Sequence, residues 1–202
     1  LIKESEKIRF EGNGYGDEWL KDAEKRGLKN LKDTPRALQV WGEKKVAKLF
    51  NDMNVLTPRE LEARKEIEFD SYILKIQIEA RIMGDVIQSM IIPAVVDYQN
   101  RLIKNVEGLF SVLGDKAGKE AAKTQIQRIA IHTNKMKASA DAMLMARKAA
   151  NKLSHAEDKA FAYCDTVKVH FDEIRYHADK LELLIDDESW PLPKFREMLF
   201  TR

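Results

Sequence analysis

Three alternate glycines run into a helix start at Gly12-Asn13-Gly14-Tyr15-Gly16-Asp17-Glu18-Trp19. A loop of this kind can offer backbone N–H groups to a phosphate at the N-terminus of the following helix. This loop lacks the Lys-Ser/Thr pair of a phosphate-binding loop and has no apolar strand before it, and Asp17 and Glu18 hold the place an anion would take. Their carboxylates answer the helix dipole themselves. A structural turn, with Asp17 capping a helix that runs to Arg26, is expected in place of a nucleotide site.

Other residues with chemical potential are similarly isolated. His170 and His177 stand seven apart, with Asp172 and Glu173 between them. A di-iron bundle needs Glu-x-x-His on two helices, and the sequence has no such pattern. Both histidines fall in a series otherwise filled by Val167, Ile174 and Leu181. Buried or half-buried imidazoles bonded to a neighbour are expected there. His132 and His155 belong to no constellation. Cys164 is the single cysteine, so it has neither a disulfide partner nor a second sulfur for a thiolate zinc site. There is no Gly-x-Ser-x-Gly, and nothing beside Cys164 activates its thiol. The residues alone describe a helical scaffold with no catalytic, cofactor or metal site.

The totals agree with that reading. A chain of 202 residues, 44% hydrophobic and 34% charged, can bury one sizeable core in one or at most two domains. No apolar run approaches the roughly 18–20 residues that span a bilayer, and Leu1-Ile2-Lys3-Glu4-Ser5-Glu6 lacks the layout of a signal peptide. A soluble chain in a reducing cytoplasm is expected, with no membrane partner. The opening on Leu1 suggests a piece of a longer protein.

Net charge is +2, but its distribution is uneven. Residues 115–152 carry nine Lys/Arg and three Asp/Glu (+6), whereas 154–188 carry four and ten (−6). No aromatics interleave with the basic residues to stack on bases. The two segments are expected to face each other, and no nucleic-acid partner is expected.

The elements that position these residues are legible as helices. The first 57 residues break into short units: Thr34-Pro35 as cap and first helical residue, Gly42 as an interruption, then Glu43–Asn51 with Val46, Leu49 and Phe50 inward. Thr57, Pro58 and Glu60 form a capping box, with Leu56 and Leu61 as a hydrophobic staple. From there Phe69, Ile73, Ile76, Ala80, Met83, Ile87, Met90 and Ala94 step by four and three, the seam of a packed helix. Pro93 has no turn residues around it, and Leu102, Val106, Leu109 and Leu113 carry the stripe on. A kink near Pro93 is expected, not an end.

A turn at Gly114–Gly118 leads into Lys119–Leu153, with Ile126, Ile129, Thr133, Met136, Ala140, Met143 and Ala150 on one face. Met145 is expected on or near this seam as well. Ser154 and Glu157 suggest a second capping box. Ala156, Ala160, Tyr163, Val167, His170, Ile174, His177, Leu181 and Leu184 then form a third seam.

Three long helices on short turns must run antiparallel. The fold class expected is all-α: short irregular helices over 1–57, an antiparallel three-helix bundle over 58–188, and a docking tail over 189–202. In that tail, Trp190-Pro191-Leu192-Pro193 precedes a short amphipathic helix from Lys194 to Phe200. Trp190, Leu192, Phe195, Leu199 and Phe200 are its candidate docking and assembly residues, since all five need an apolar surface.

The order of motifs resembles the C-terminal third of bacterial type III glutamine synthetases. The carrying residues are Phe10-Glu11-Gly12-Asn13-Gly14-Tyr15 with Asp17-Glu18-Trp19, then Ala23-Glu24-Lys25-Arg26-Gly27-Leu28, and Asn30-Leu31 before Thr34-Pro35. Further on come Leu49-Phe50, Val55-Leu56-Thr57 with Glu60-Leu61, Ile76-Gln77-Ile78-Glu79-Ala80, Ile92-Pro93-Ala94 and Trp190-Pro191-Leu192-Pro193-Lys194-Phe195. The resemblance implies a parent enzyme that joins ammonia to L-glutamate with ATP and Mg²⁺ or Mn²⁺, as a large cytoplasmic homo-oligomer serving glutamine biosynthesis. It also implies that the catalytic apparatus lies upstream, so no catalytic residue is carried over. This chain is then expected to be a non-catalytic segment that supports assembly through the rest of its polypeptide and other subunits. The alternative is a stand-alone helical adaptor that binds partner helices.

Overall fold

A computed structural model of the chain describes residues 3–6, 9–114 and 120–200, without the side chain of Phe195. It divides into two compact units, Leu1–Lys65 and Glu66–Arg202. Among the described residues every regular element is helical, as the sequence predicts.

In the first unit, helices α1 (Asp17–Lys25), α2 (Thr34–Leu38) and α3 (Lys44–Asp52) are short and closely punctuated, and a 3-10 turn (Gln39–Gly42) follows α2 directly. Gly16, not Asp17, is the N-cap of α1, which leaves the Asp17 and Glu18 carboxylates in the first turn against the dipole. The helix ends in a Schellman turn. Leu28 N–H donates to Ala23 O (2.8 Å) and Gly27 N–H to Glu24 O (3.0 Å), with Gly27 at φ 68°, where a Cβ would be strained.

Asn54 does the same for α3 at φ 51°, with Val55 N–H on Phe50 O at 3.0 Å. The cap of α2 is Asp33, whose carboxylate accepts from Arg36 N–H at 2.9 Å. Thr34 is therefore already helical and Pro35 comes second. A carboxylate reaches the free N–H groups more readily than the threonine that follows it, and it adds charge. In α3, Val46 and Phe50 are half-buried while Leu49 is exposed, contrary to its expected inward place.

Helix α4 (Pro58–Val86) starts where the capping box predicts. Thr57 N–H donates to Glu60 Oε2 (2.8 Å) and Glu60 N–H to Thr57 Oγ1 (3.3 Å), with Leu61 buried and Leu56 half-buried. The bond from Thr57 N–H holds the Glu60 carboxyl below its usual range.

In the second unit α4 continues through a π-helical turn (Ile87–Ile91) into α5 (Ile92–Leu113). The chain thus stays helical past Pro93. Proline cannot donate to the carbonyl one turn back and its ring crowds that turn, and the wider π turn just ahead accommodates both. The extra residue shifts the phase of the seam. Phe69, Ile73, Ile76, Ala80 and Ile87 are buried as expected, but the next positions are Ile91 and Val95, not Met90 and Ala94. Met90 is 38% exposed.

Gly114 closes α5 at φ 58°. The rest of the expected turn, Asp115–Gly118, and Lys119 lie outside the described residues.

Helix α6 (Glu120–Ala150) is 31 residues, roughly 46 Å at about 1.5 Å per residue. Ile129, Met136, Ala140, Met143 and Ala150 are buried on one face, and Met145 faces out. The third long segment is not one uniform helix. It comprises α7 (Ala156–Ala162), a π turn (Tyr163–Val167) and α8 (His170–Leu184). His155, not Ser154, is the N-cap of α7, and no side chain bonds across it. The predicted second capping box therefore does not form, since Glu157 sits one position short of the place a box requires. The third seam is otherwise as expected: Ala160, Tyr163, Val167, Ile174, His177 and Leu181 are buried.

Register gives the topology. Tyr163 pairs with Asn151, Glu173 with Ser139 and His177 with His132, so α8 runs antiparallel to α6. Gln99 reaches Ile126 O, while Gly84 lies against Leu144, so the α4–α5 helix is also antiparallel to α6. At Gly84 a Cβ would come within 3.0 Å of Leu144 Cδ2, so the glycine permits close helix approach. Gln125 Nε2 ties all three, donating to Tyr98 Oη of α5 (3.3 Å) and Leu184 O of α8 (3.2 Å). Each fully buried Ile, Leu or Met on these seams contributes about 1.5–3 kcal/mol.

Candidate functional site

The chemistry-bearing side chains converge on the seam between α6 and α8. His132 lies three residues after Ile129 and four before Met136, which brings it to the packed face of α6. His177 lies one heptad from His170 on α8. Antiparallel packing sets the two rings together, Nδ1 to Nδ1 at 2.9 Å. Two nitrogens at that distance need one proton between them, so one ring donates and the other accepts. Tyr176 stacks edge-on to His177 at 5.0 Å between centroids, and Lys180 Nζ lies 5.3 Å over the Tyr176 ring.

Two turns along, Ser139 Oγ meets His170 Nδ1 at 3.2 Å and donates to Glu173 Oε2 at 3.1 Å. Met136 and Ile174, both buried, fill the apolar part of the seam. The polar residues thus form two internally bonded layers, which is what allows His177 and Ser139 to be buried without leaving polar atoms unsatisfied.

The field around the histidine pair favours neutral rings. Burial is the main cause that lowers the His132 pKa, followed by His177 and the cations Arg128, Lys135 and Lys180. Burial also lowers His177, assisted by Lys135 and opposed by Glu173. At the far end of the seam Tyr163 Oη donates to Asn151 Oδ1 at 2.8 Å, and burial pushes this phenol up. Ion pairs on the oppositely charged helices close along their own helix: Lys137–Asp141 at 2.7 Å and Arg175–Asp179 at 3.6 Å. The two helices do face each other as expected, but they meet through the apolar and histidine layers. Imidazoles bonded to a neighbour are as expected for His170 and His177. His132 belongs to no constellation in the sequence, because its partner stands 45 residues away. Its place on the α6 seam, between Ile129 and Met136, was the available signal.

The C-terminal segment is anchored by a compact turn. Asp186 Oδ1 accepts from Ser189 N–H at 2.7 Å, and Arg101 of α5 binds both Asp186 (2.5 Å) and Ser189. These bonds, that from the Ser189 hydroxyl first, hold the Asp186 carboxyl below its usual range. Lys194 is buried, its Nζ donating to Ile185 O (2.7 Å) and pairing with Asp187 (2.9 Å). Helix α9 (Phe195–Met198) follows. Of the five residues singled out in this tail, Trp190 is buried, Leu192 half-buried, and Leu199 and Phe200 are exposed; the Phe195 side chain lies outside the described set.

In the first unit, the Gly12–Gly16 stretch ahead of α1 is a turn: Asn13 Oδ1 accepts from Tyr15 N–H (3.0 Å) and Asn13 O from Gly16 N–H (3.0 Å). Cys164 is half-buried within the second π turn. Among the described residues no three His, Cys, Asp or Glu side chains converge on a metal position, and no helix is long and apolar enough to cross a membrane.

The second unit is a helical bundle whose seam histidines and tail anchor are held by internal hydrogen bonds. Residues 1–109 match the family model described as the glutamine synthetase C-terminal domain, and the chain belongs to that family. It is 40% identical over 201 residues to a glutamine synthetase of Bacteroides fragilis (strain YCH46), covering 98% of this chain and 28% of that relative. A type-3 glutamine synthetase of Dictyostelium discoideum is 31% identical over 199 residues, covering 97% of this chain and 27% of the relative. A glutamine synthetase of Butyrivibrio fibrisolvens is 31% identical over 196 residues, covering 96% and 28%. The chain spans under a third of the length of these relatives and corresponds to their C-terminal part.

Proposed function

We propose that this chain is the C-terminal segment of an ATP-dependent glutamate–ammonia ligase and supports assembly of that enzyme as a cytoplasmic homo-oligomer, without performing catalysis itself. The observation that carries the assembly role is on α4. Leu74, Ile78 and Ile82 recur at helical spacing on one face, yet are 57, 48 and 57% exposed. A row of large aliphatic side chains open to water is the mark of an interaction surface. Leu199 and Phe200 of the tail offer further open apolar surface for the same role.

The ligase reaction, with ATP and Mg²⁺ or Mn²⁺, belongs in this proposal to the parent enzyme. The test is the double substitution Leu74→Glu/Ile78→Glu in the full-length enzyme, read by light scattering after size exclusion. A smaller assembly with reduced ligase activity is expected. An unchanged mass contradicts the assembly role.

A further inference from the structure

We propose that the His132–His177 pair is an acid-sensitive clasp between α6 and α8, closed by one proton shared between two Nδ1 atoms and opened when each ring carries its own. The geometry comes first. At 2.9 Å the two nitrogens face each other directly, and the bond joins two helices that have no covalent link at that layer. With both rings neutral, one Nδ1–H donates to the other's lone pair. A first added proton goes to an Nε2 and leaves that bond in place, now charge-assisted. A second puts hydrogen on both facing nitrogens, so the bond is lost and two cations sit in contact.

The surroundings offer little to offset that charge. The charges acting on the rings come from the two helices that carry them: Arg128 and Lys135 on α6, Lys180 and Glu173 on α8. Three are cations. Glu173, the one carboxylate, already accepts from Ser139 in the next layer, where His170 also bonds. Tyr176 presents its ring to both histidines, with Lys180 over it. Burial of His177 removes the water that would otherwise hydrate an imidazolium.

The sign follows from linkage. Both histidines are held below the ordinary value of about 6.5, so the unfolded or opened chain binds more protons than the closed one. The clasp's stabilisation is complete above pH about 6.5 and is lost as the pH falls from there through the folded values. Because the rings share a proton, they titrate as a pair in two macroscopic steps.

The test uses the full chain, with imidazole NMR between pH 8 and 5 and amide hydrogen exchange across α6 and α8, corrected for intrinsic rates. The expected result is that the His132 and His177 signals move together in two steps, both below 6.5. Protection around this layer should then fall by about tenfold for every pH unit by which each ring is held below its unfolded value, the contributions of the two rings multiplying. His132→Gln keeps a hydrogen-bonding partner for His177 but removes the second charge, so it should flatten this dependence, whereas His170→Gln should preserve it. Independent titration near 6.5, protection that does not change with pH, or a His132→Gln variant with wild-type dependence would each overturn the proposal. Should the variants not fold, the titration of the unmodified chain decides.

Discussion

The α6–α8 seam and the outward face of α4 are built from the same material and end in opposite environments. On the seam, Ile129, Met136, Met143, Val167, Ile174 and Leu181 are at most 2% exposed. On α4, Leu74, Ile78 and Ile82 follow the same helical spacing and lie about half open. Periodicity therefore identifies a face that needs covering, but the cover itself must come from elsewhere. Along the seam each helix covers the other. Along the outer face of α4 the proposed cover is the rest of the enzyme.

The largest expected contrast comes from truncation. Met136→Ala should cost about 2–5 kcal/mol, because a fully buried side chain leaves a cavity in a seam that cannot collapse around it. Urea unfolding of the full chain measures this, and a loss below 1 kcal/mol would mean the seam is loosely packed. Gly84→Val should cost about 1–3 kcal/mol by pushing α4 away from Leu144, with a lowered thermal midpoint as the readout. The smallest effect is expected on the open face. Leu74→Ser should shift the stability of the chain by less than about 0.5 kcal/mol. A larger loss in the same urea experiment would show that the face is already covered within this chain.

How much of this was readable in advance depends on how local the physics is. Thr57, Pro58 and Glu60 announce the start of α4 because a capping box is written within four residues. The seams of α6 and α8 were legible as periods. What escaped was whatever shifts phase or joins distant residues. The π turn before Pro93 adds one residue to the turn, so the buried series moves from the expected Met90 and Ala94 to Ile91 and Val95. Asp33 outcompetes Thr34 as a cap through its charge, a choice between neighbours that the Thr-Pro pattern hides. The His132–His177 pair depends on helix register across a turn, and no local pattern links positions 45 residues apart. The anchor from Arg101 to Asp186 and Ser189 is longer-range still. The motifs that carry the family resemblance stand in order along the chain, and that resemblance holds.

The central claim, that α4 presents a face meant to be covered, is tested most directly by hydroxyl-radical footprinting of Leu74, Ile78 and Ile82. Labelling would be compared between this chain alone and the full-length enzyme proposed to carry it, with Met136 and Ile174 as internal references. The expected result is strong labelling of the α4 face in the isolated chain and protection in the assembly, while the seam stays protected in both. Equal labelling of the α4 face in the two states would contradict the claim.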